Sequence, residues 1–459
     1  MLADLAEGRN GKPINPVRNG VFSCLKGRKV TPLALLLLSR ARKIFRFVNL
    51  FNLPCKDRSS SSAVTGHASD APPRPRTRLL LLAGDDVEWL GGNEQIAGRK
   101  VVFAPSLHHI MPLLEHERFD ARVAGYRDPG RSVALLDSVV AAHPTLVCAM
   151  CADSAGPEQG AYPVLRRAES LTSFEDALHT VLAAARWNRN PAMATVAGYL
   201  KKFPALPSLY NQINAAMSDN DVSMESIADL ISHEPAITAR LLHIVNSPIF
   251  ALRQRVASVR DSAALLGLNR LRSLVLATSL FDECDASRCR SFSAGAFEIR
   301  SIQIATWASN IASHESGSKT ASEMAFTAGL LHQFGVLLLA ANLPDGYDQI
   351  LSRASAQRLS MARLERENYG VSHAELAGAI LATWRLPFPI INAVGFYALP
   401  SESEDAAFSP LTAVHAAHAI DNQLRTGVPD FDRAYLERLN FLPRFEEWSR
   451  MLAGDDWRG

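Results

Sequence analysis

A chain of 459 residues with 47% hydrophobic and 20% charged residues is too long for one core and too apolar to stay unfolded, so two or three domains are expected. Six cysteines are too few for a disulfide scaffold and point to a reducing, cytoplasmic setting. The net charge of +2 is uneven: residues 1–76 carry 14 Lys and Arg against 4 Asp and Glu, leaving the remainder at 34 against 42. A mildly acidic body argues against wide contact with a phosphate backbone. No uninterrupted apolar run approaches the roughly 20 residues of a spanning helix, so no transmembrane segment is expected.

The first 76 residues are read as a basic, disordered extension and linker. "RSSSSAVTGHASDAPPRPR" has nothing to pack. "PLALLLLSRARKIFRFVNLF" before it has the makings of a surface helix on anionic lipid, but reads more simply as extension, with no cleavage site of a signal peptide. From Arg78 short apolar runs alternate with helical segments. "RLLLLAG", "KVVFAP", "ARVAGY", "TLVCAM" and "YPVLRRA" read as five strands, and "SLHHIMPLLEHE" and "SFEDALHTVLAAARW" as helices. Continuous apolar runs are what parallel strands covered on both faces require. Residues 77–186 are therefore expected to form a five-stranded, doubly wound α/β domain of flavodoxin-like type.

After a connector over 187–202, contained in "RWNRNPAMATVAGYLKKF", helices dominate. Apolar positions recur every three or four residues, interrupted by Pro, Gly and Ser, so 203–398 should be an all-α domain, with 399–459 a helical extension packed on it. Asn246-Ser247-Pro248 should stop a helix, and Gly267 should mark a turn or close helix contact.

The pieces "EPAITARLLHIVNSPIF", "SVRDSAALLGLNRLRSLVLA", "AGLLHQFGVLLL" and "GVSHAELAGAILATWRLP" occur in this order over about 190 residues and resemble the HDOD domain, the HD-related output domain of bacterial signalling proteins. The resemblance implies distant kinship with HD hydrolases, which hold one or two metal ions with His, His-Asp and a further Asp. In this chain His332 stands, but Gln333 takes the place of the Asp, and Arg300 lies near the first histidine position. His373 and His314 are weak substitutes, and Phe396-Tyr397 replace the His-His pair frequent in the family after a "WRLP" motif. The expectation is a chain with no catalytic residues, no metal and no cofactor. Arg300, His332, Gln333, His373 and Trp384 would instead line a groove for a nucleotide or other small-molecule ligand.

The α/β segment resembles a response-regulator receiver. That likeness places Asp85 and Asp86 as the acidic pair for magnesium, but puts Gly125 at the phosphoacceptor position, with Asp128 in a turn-forming Asp-Pro-Gly as a poor substitute. Met150-Cys151-Ala152 and Arg166-Arg167-Ala168 replace the usual Ser or Thr and the usual Lys-Pro. The resemblance thus implies a pseudo-receiver in a two-component-like setting, responding to protein partners.

Three further features are weighed. Cys148, Cys151, Cys284 and Cys289 could be imagined as a zinc site, but an apolar strand cannot form a zinc knuckle, and free cysteines are expected. "SMESIADLISHEPAITARLLHIVNS" has the rhythm of a helix-turn-helix, yet offers only Arg240 and His243 behind Glu234, so bundle packing explains it better than nucleic acid. Arg253, Arg255, Arg260, Arg270 and Arg272 are read as a basic face able to meet an anionic partner. The rival functions are a metal-dependent phosphohydrolase or cyclic-nucleotide phosphodiesterase and, behind it, a nucleic-acid-binding regulator.

Overall fold

The computed structural model describes the strands between 79 and 166, scattered positions between 109 and 139, and 171–188; from 190 to 453 it is continuous but for 201–204, 218–222, 251, 253 and 428–429. The extension over 1–76, Asp85, Asp86, Asp128 and Arg253 lie outside the described residues.

A six-stranded sheet is built from β1 (Leu79–Ala83), β2 (Gln95–Ile96), β3 (Arg99–Ala104), β4 (Ala121–Gly125), β5 (Val147–Ala152) and β6 (Val164–Arg166), in the order β2-β3-β1-β4-β5-β6. The pairs β1–β3, β1–β4, β4–β5 and β5–β6 are parallel, and β2 pairs antiparallel with β3, Gln95 opposite Lys100. The sheet is thus mixed and six-stranded, not the five-stranded parallel sheet expected. The additional strand is two residues long and polar at Gln95, too short to register as an apolar run.

Helix α1 (Leu171–Asn188) closes one side of the sheet. Phe174, Leu178 and Ala185 recur at helical spacing and join Val123, Val147, Ala149 and Leu165 in one core. Cys148 and Cys151 are both buried in β5, three positions apart and so on opposite faces of the sheet. Cys289 is also buried and Cys284 half-buried.

The rest is helical: α2 (Pro191–Tyr199), α3 (Ser208–Met217), α4 (Met224–Ser232), α5 (Pro235–Val245), α6 (Val259–Leu266), α7 (Leu268–Glu283), α8 (Ala294–Ser316), α9 (Lys319–Leu331), α10 (Phe334–Asn342), α11 (Pro344–Gln357), α12 (Met361–Tyr369), α13 (His373–Thr383), α14 (Phe388–Phe396), α15 (Pro410–Thr426), α16 (Arg433–Arg438) and α17 (Leu442–Ala453). Helix α5 ends at Val245, where Asn246 begins a short 3-10 turn over Pro248–Phe250. The Asn246 amide donates to the carbonyls of Leu242 and Val256 at 2.7 and 2.9 Å and accepts from the Val256 N–H at 2.8 Å, pinning the loop back on the helix. Gly267, between α6 and α7, has φ +80°, which side-chain-bearing residues rarely adopt.

By length and composition the run Lys319–Asn342, α9 with α10, could cross a membrane, although the sequence reading found no such run; 89% of its most apolar window is buried inside the protein, as in a core helix. Helices α7, α8, α14 and α15 pack around α9, and α13 packs on α10. Phe326, Phe334, Leu338, Ile391 and Leu411 fill that centre.

Candidate functional site

The site forms where α9 gives way to α10, facing the start of α13, the end of α14 and the middle of α15. Helix α9 stops at His332 and α10 starts after Gln333. Gly335 lies so close to the carbonyl of His373 that a Cβ there would have no room, which fixes α10 against the head of α13.

His332 is fully buried. Its Nδ1 lies 2.5 Å from the Gly329 carbonyl oxygen and must donate to it, since a carbonyl only accepts. In the neutral ring Nε2 is then an acceptor, 3.2 Å from His418 Nδ1, which donates. Burial, aided by the nearby Arg300 charge, lowers the His332 pKa to about 3, so the neutral form prevails. Burial followed by the same arginine lowers His418 well below the usual histidine value.

His373 opens α13, whose N-terminus is closed by a capping box of Ser372 and Glu375. Its backbone N–H and its Nδ1 both donate to Glu365 Oε2, at 2.7 and 2.6 Å, and its Nε2 meets the Tyr397 hydroxyl at 2.5 Å. The other Glu365 oxygen accepts from the Tyr347 hydroxyl at 2.5 Å. Tyr397 also takes a side-chain hydrogen bond from Gln333, and its ring sits edge-on to His332 and His418, with centroids 4.8 and 4.9 Å away. Burial, and next the Glu365 charge, raise the pKa of both tyrosines. Behind Tyr397, His415 Nε2 accepts from the Asp432 N–H, so its Nδ1 donates to the Tyr397 carbonyl, 2.8 Å away. The result is a connected set of polar groups, with the half-buried His418 at its edge.

Three of the five residues expected to line a groove are buried. His332, Gln333 and His373 are 0, 5 and 2% exposed. Arg300 is turned aside, Nε to Asp421 at 2.7 Å and Nη2 to Asn422 at 2.6 Å, and Trp384 packs beside Phe334. His332, Gln333 and His373 are buried, and Arg300 and Trp384 are half-buried beside them. His314 lies elsewhere, at Glu447 and Arg444.

The donor set does not fit a hydrolytic divalent metal. The ligand position beside His332 is a neutral amide, and a guanidinium stands close enough to His332 to lower its pKa. Among the described residues no three His, Cys, Asp or Glu side chains converge to hold an ion.

The basic face divides. Arg255 and Arg260 are exposed, the latter 3.9 Å from Glu225. Arg270 and Arg272 instead point into the bundle. Arg270 donates to Ser309 and Ser322 over the Phe326 ring; Arg272 donates to Asn214 over Tyr210. Both sit one turn into α7, whose next residues are nearly all buried, so their stems lead inward. Arg240 is also engaged, with a two-point contact to Glu298 at 3.1 Å and an ion pair to Asp282, leaving the would-be recognition helix short of base-reading groups.

Glu365, Tyr347, His415 and His418 escaped the sequence reading. The i, i+3 spacing of His415 and His418 on an apolar helix was the available signal, but it sits past the expected domain end. Glu365 looks like one charge among several in "ARLERENYG".

Residues 203–400 match the family model described as HDOD domain. The chain carries an HDOD domain. A curated relative, an uncharacterized protein of Treponema pallidum (strain Nichols), is 24% identical over 257 residues, which are 54% of this chain and 48% of that protein. The chain thus spans about half the length of that relative. A solved structure of a Shewanella amazonensis SB2B protein, named as a candidate phosphohydrolase, is 22% identical, with 57% of this chain and 94% of that one covered and a TM-score of 0.45. The MmoQ response regulator of Methylococcus capsulatus is 30% identical over 55% of this chain and 96% of that one, with a TM-score of 0.31.

Proposed function

We propose that this is a non-catalytic bacterial signalling protein, cytoplasmic, in which a degenerate receiver-like α/β unit is coupled to the HDOD domain, and the HDOD domain acts through protein contacts or a small-molecule ligand. The observation that carries this reading is that Gln333 and Arg300 stand around His332 where a hydrolase of this kind has an aspartate and a histidine. In the hydrolase motif a carboxylate beside the histidine helps hold the ion and an open position admits water, whereas here an amide and a guanidinium stand in those places. The receiver half rests on the strand order β3-β1-β4-β5-β6, which follows the flavodoxin-like pattern once β2 is set aside, and on Gly125 closing β4 at the expected phosphoacceptor position. With no side chain there to phosphorylate, the input is a partner or ligand.

The rival reading, a phosphohydrolase, draws on the Shewanella relative's name and on three histidines around Tyr397. Metal analysis of the purified full chain, with hydrolysis of bis-p-nitrophenyl phosphate under added manganese, iron or magnesium, separates the two. The expected result is less than stoichiometric metal and no turnover above the protein-free control. Turnover that disappears in His332→Ala would overturn the proposal.

A further inference from the structure

We infer that Trp187 is the latch through which the sheet unit acts on the HDOD domain: seated between Gly378 and Gly395, it holds the end of α14 whose neighbouring residues face the sheet unit and the buried histidines. This deepens the proposed coupling and rests on it.

The seat is built by missing side chains. A Cβ on Gly378 would come 2.6 Å from the indole Cη2 and 2.9 Å from the Gly395 Cα, and a Cβ on Gly395 would collide with the indole more closely still. The two helices therefore meet most closely where the ring lies across them. Trp187 is 2% exposed, its ring 5.3 Å from Phe396, and the Arg186 guanidinium covers the same phenyl ring at 5.0 Å. Phe396 thus faces α1, while the next residue, Tyr397, carries the contacts to His332, His373 and His418.

A second line reaches the other side of the site. Arg186 pairs with Glu402 at 3.2 Å; Glu402 holds Arg366 at 2.7 and 3.1 Å; Arg366 Nε holds Glu375 at 3.0 Å, and Glu375 caps the helix that begins with His373. The end of α1 touches the supports of both partners of the His373–Tyr397 hydrogen bond.

The latch is suited to opening. Among the described residues the buried Trp187 Nε1 has no hydrogen-bond partner, so undocking returns that donor to water and offsets part of the lost apolar contact.

Amide hydrogen exchange on the full chain tests this, with Trp187→Ala against Trp187→Phe. Amides of 388–399 and 373–378 should exchange about tenfold faster in Trp187→Ala, with Trp187→Phe between it and the parent and α8 and α9 unchanged. The His332 ring, which does not touch Trp187, should exchange its C2 hydrogen faster too. Should Trp187→Ala fail to fold, Arg186→Ala with Glu402→Gln alters only partly exposed groups and should quicken the same segments about threefold. Faster exchange confined to 171–199, or spread evenly through the bundle, overturns the latch. That outcome without phosphoesterase activity leaves the non-catalytic reading standing; His332-dependent turnover removes that reading whatever the exchange shows.

Discussion

Glu365 receives His373 twice through one oxygen, at the backbone N–H and at Nδ1, and Tyr347 through the other. With Glu365 fully buried, no water is at hand to replace it. Glu365→Ala should therefore cost about 3–5 kcal/mol, the usual result of stripping one partner from a buried polar set. Denaturant unfolding of the full chain reads this as a lowered midpoint. A loss below about 1 kcal/mol would mean that the network contributes little.

Acid should loosen the fold before carboxylates titrate. The folded-state pKa of His332, about 3, lies below the unfolded value near 6.5, so the unfolded chain binds the extra proton. The stability held by the neutral ring is complete above about pH 6.5 and drains as pH falls toward 3. From pH 6.5 to 5 that is about 2 kcal/mol for this residue, with His415 and His418 shifted in the same direction. Urea midpoints at pH 7 and pH 5 should differ accordingly, and His332→Gln should shrink the difference. Equal midpoints would contradict it.

Arg300→Ala should weaken the fold and change that acid profile. Asp421, 8% exposed, loses its 2.7 Å partner, at a cost of about 2–4 kcal/mol. Removing the guanidinium also removes a cause of the low His332 and His418 values, so both rings should protonate at higher pH. Histidine titration followed by NMR checks the direction; unchanged values would show that burial alone sets them.

Gln333→Asp restores the residue of the hydrolase motif without restoring a site. The new carboxylate would be buried beside Tyr397, and the change should cost roughly 2–5 kcal/mol while recruiting no metal. Elemental analysis of the purified variant decides it, one manganese or iron per chain being the contrary result.

The sequence disclosed much of this architecture and little of its centre. The apolar runs of β3, β4 and β5 were legible because strands covered on both faces leave continuous hydrophobic stretches, and Asn246 and Gly267 punctuated the helices where backbone geometry demanded it. The Gln333 and Arg300 departures were visible beforehand because they lie inside recognisable motifs. The site's own bonds were not, because Glu365, His373, Tyr397 and His418 meet across four helices, and spacing along one helix says nothing about partners on another. The same limit explains Arg270 and Arg272: a run of arginines reads as a wet surface until the neighbouring Ser309, Ser322 and Asn214 are in place.

Helix α1 belongs to two hydrophobic interiors at once, offering Phe174 and Leu178 to the sheet and Trp187 to the bundle, with His179 stacked on Phe388. A bundle excised at position 203 would begin life with a slot over Gly378 and Gly395 and with Phe388 and Phe396 stripped of their cover. Such a fragment should be sticky and short-lived, and the two halves of this chain are better regarded as neighbours sharing a wall than as beads on a string.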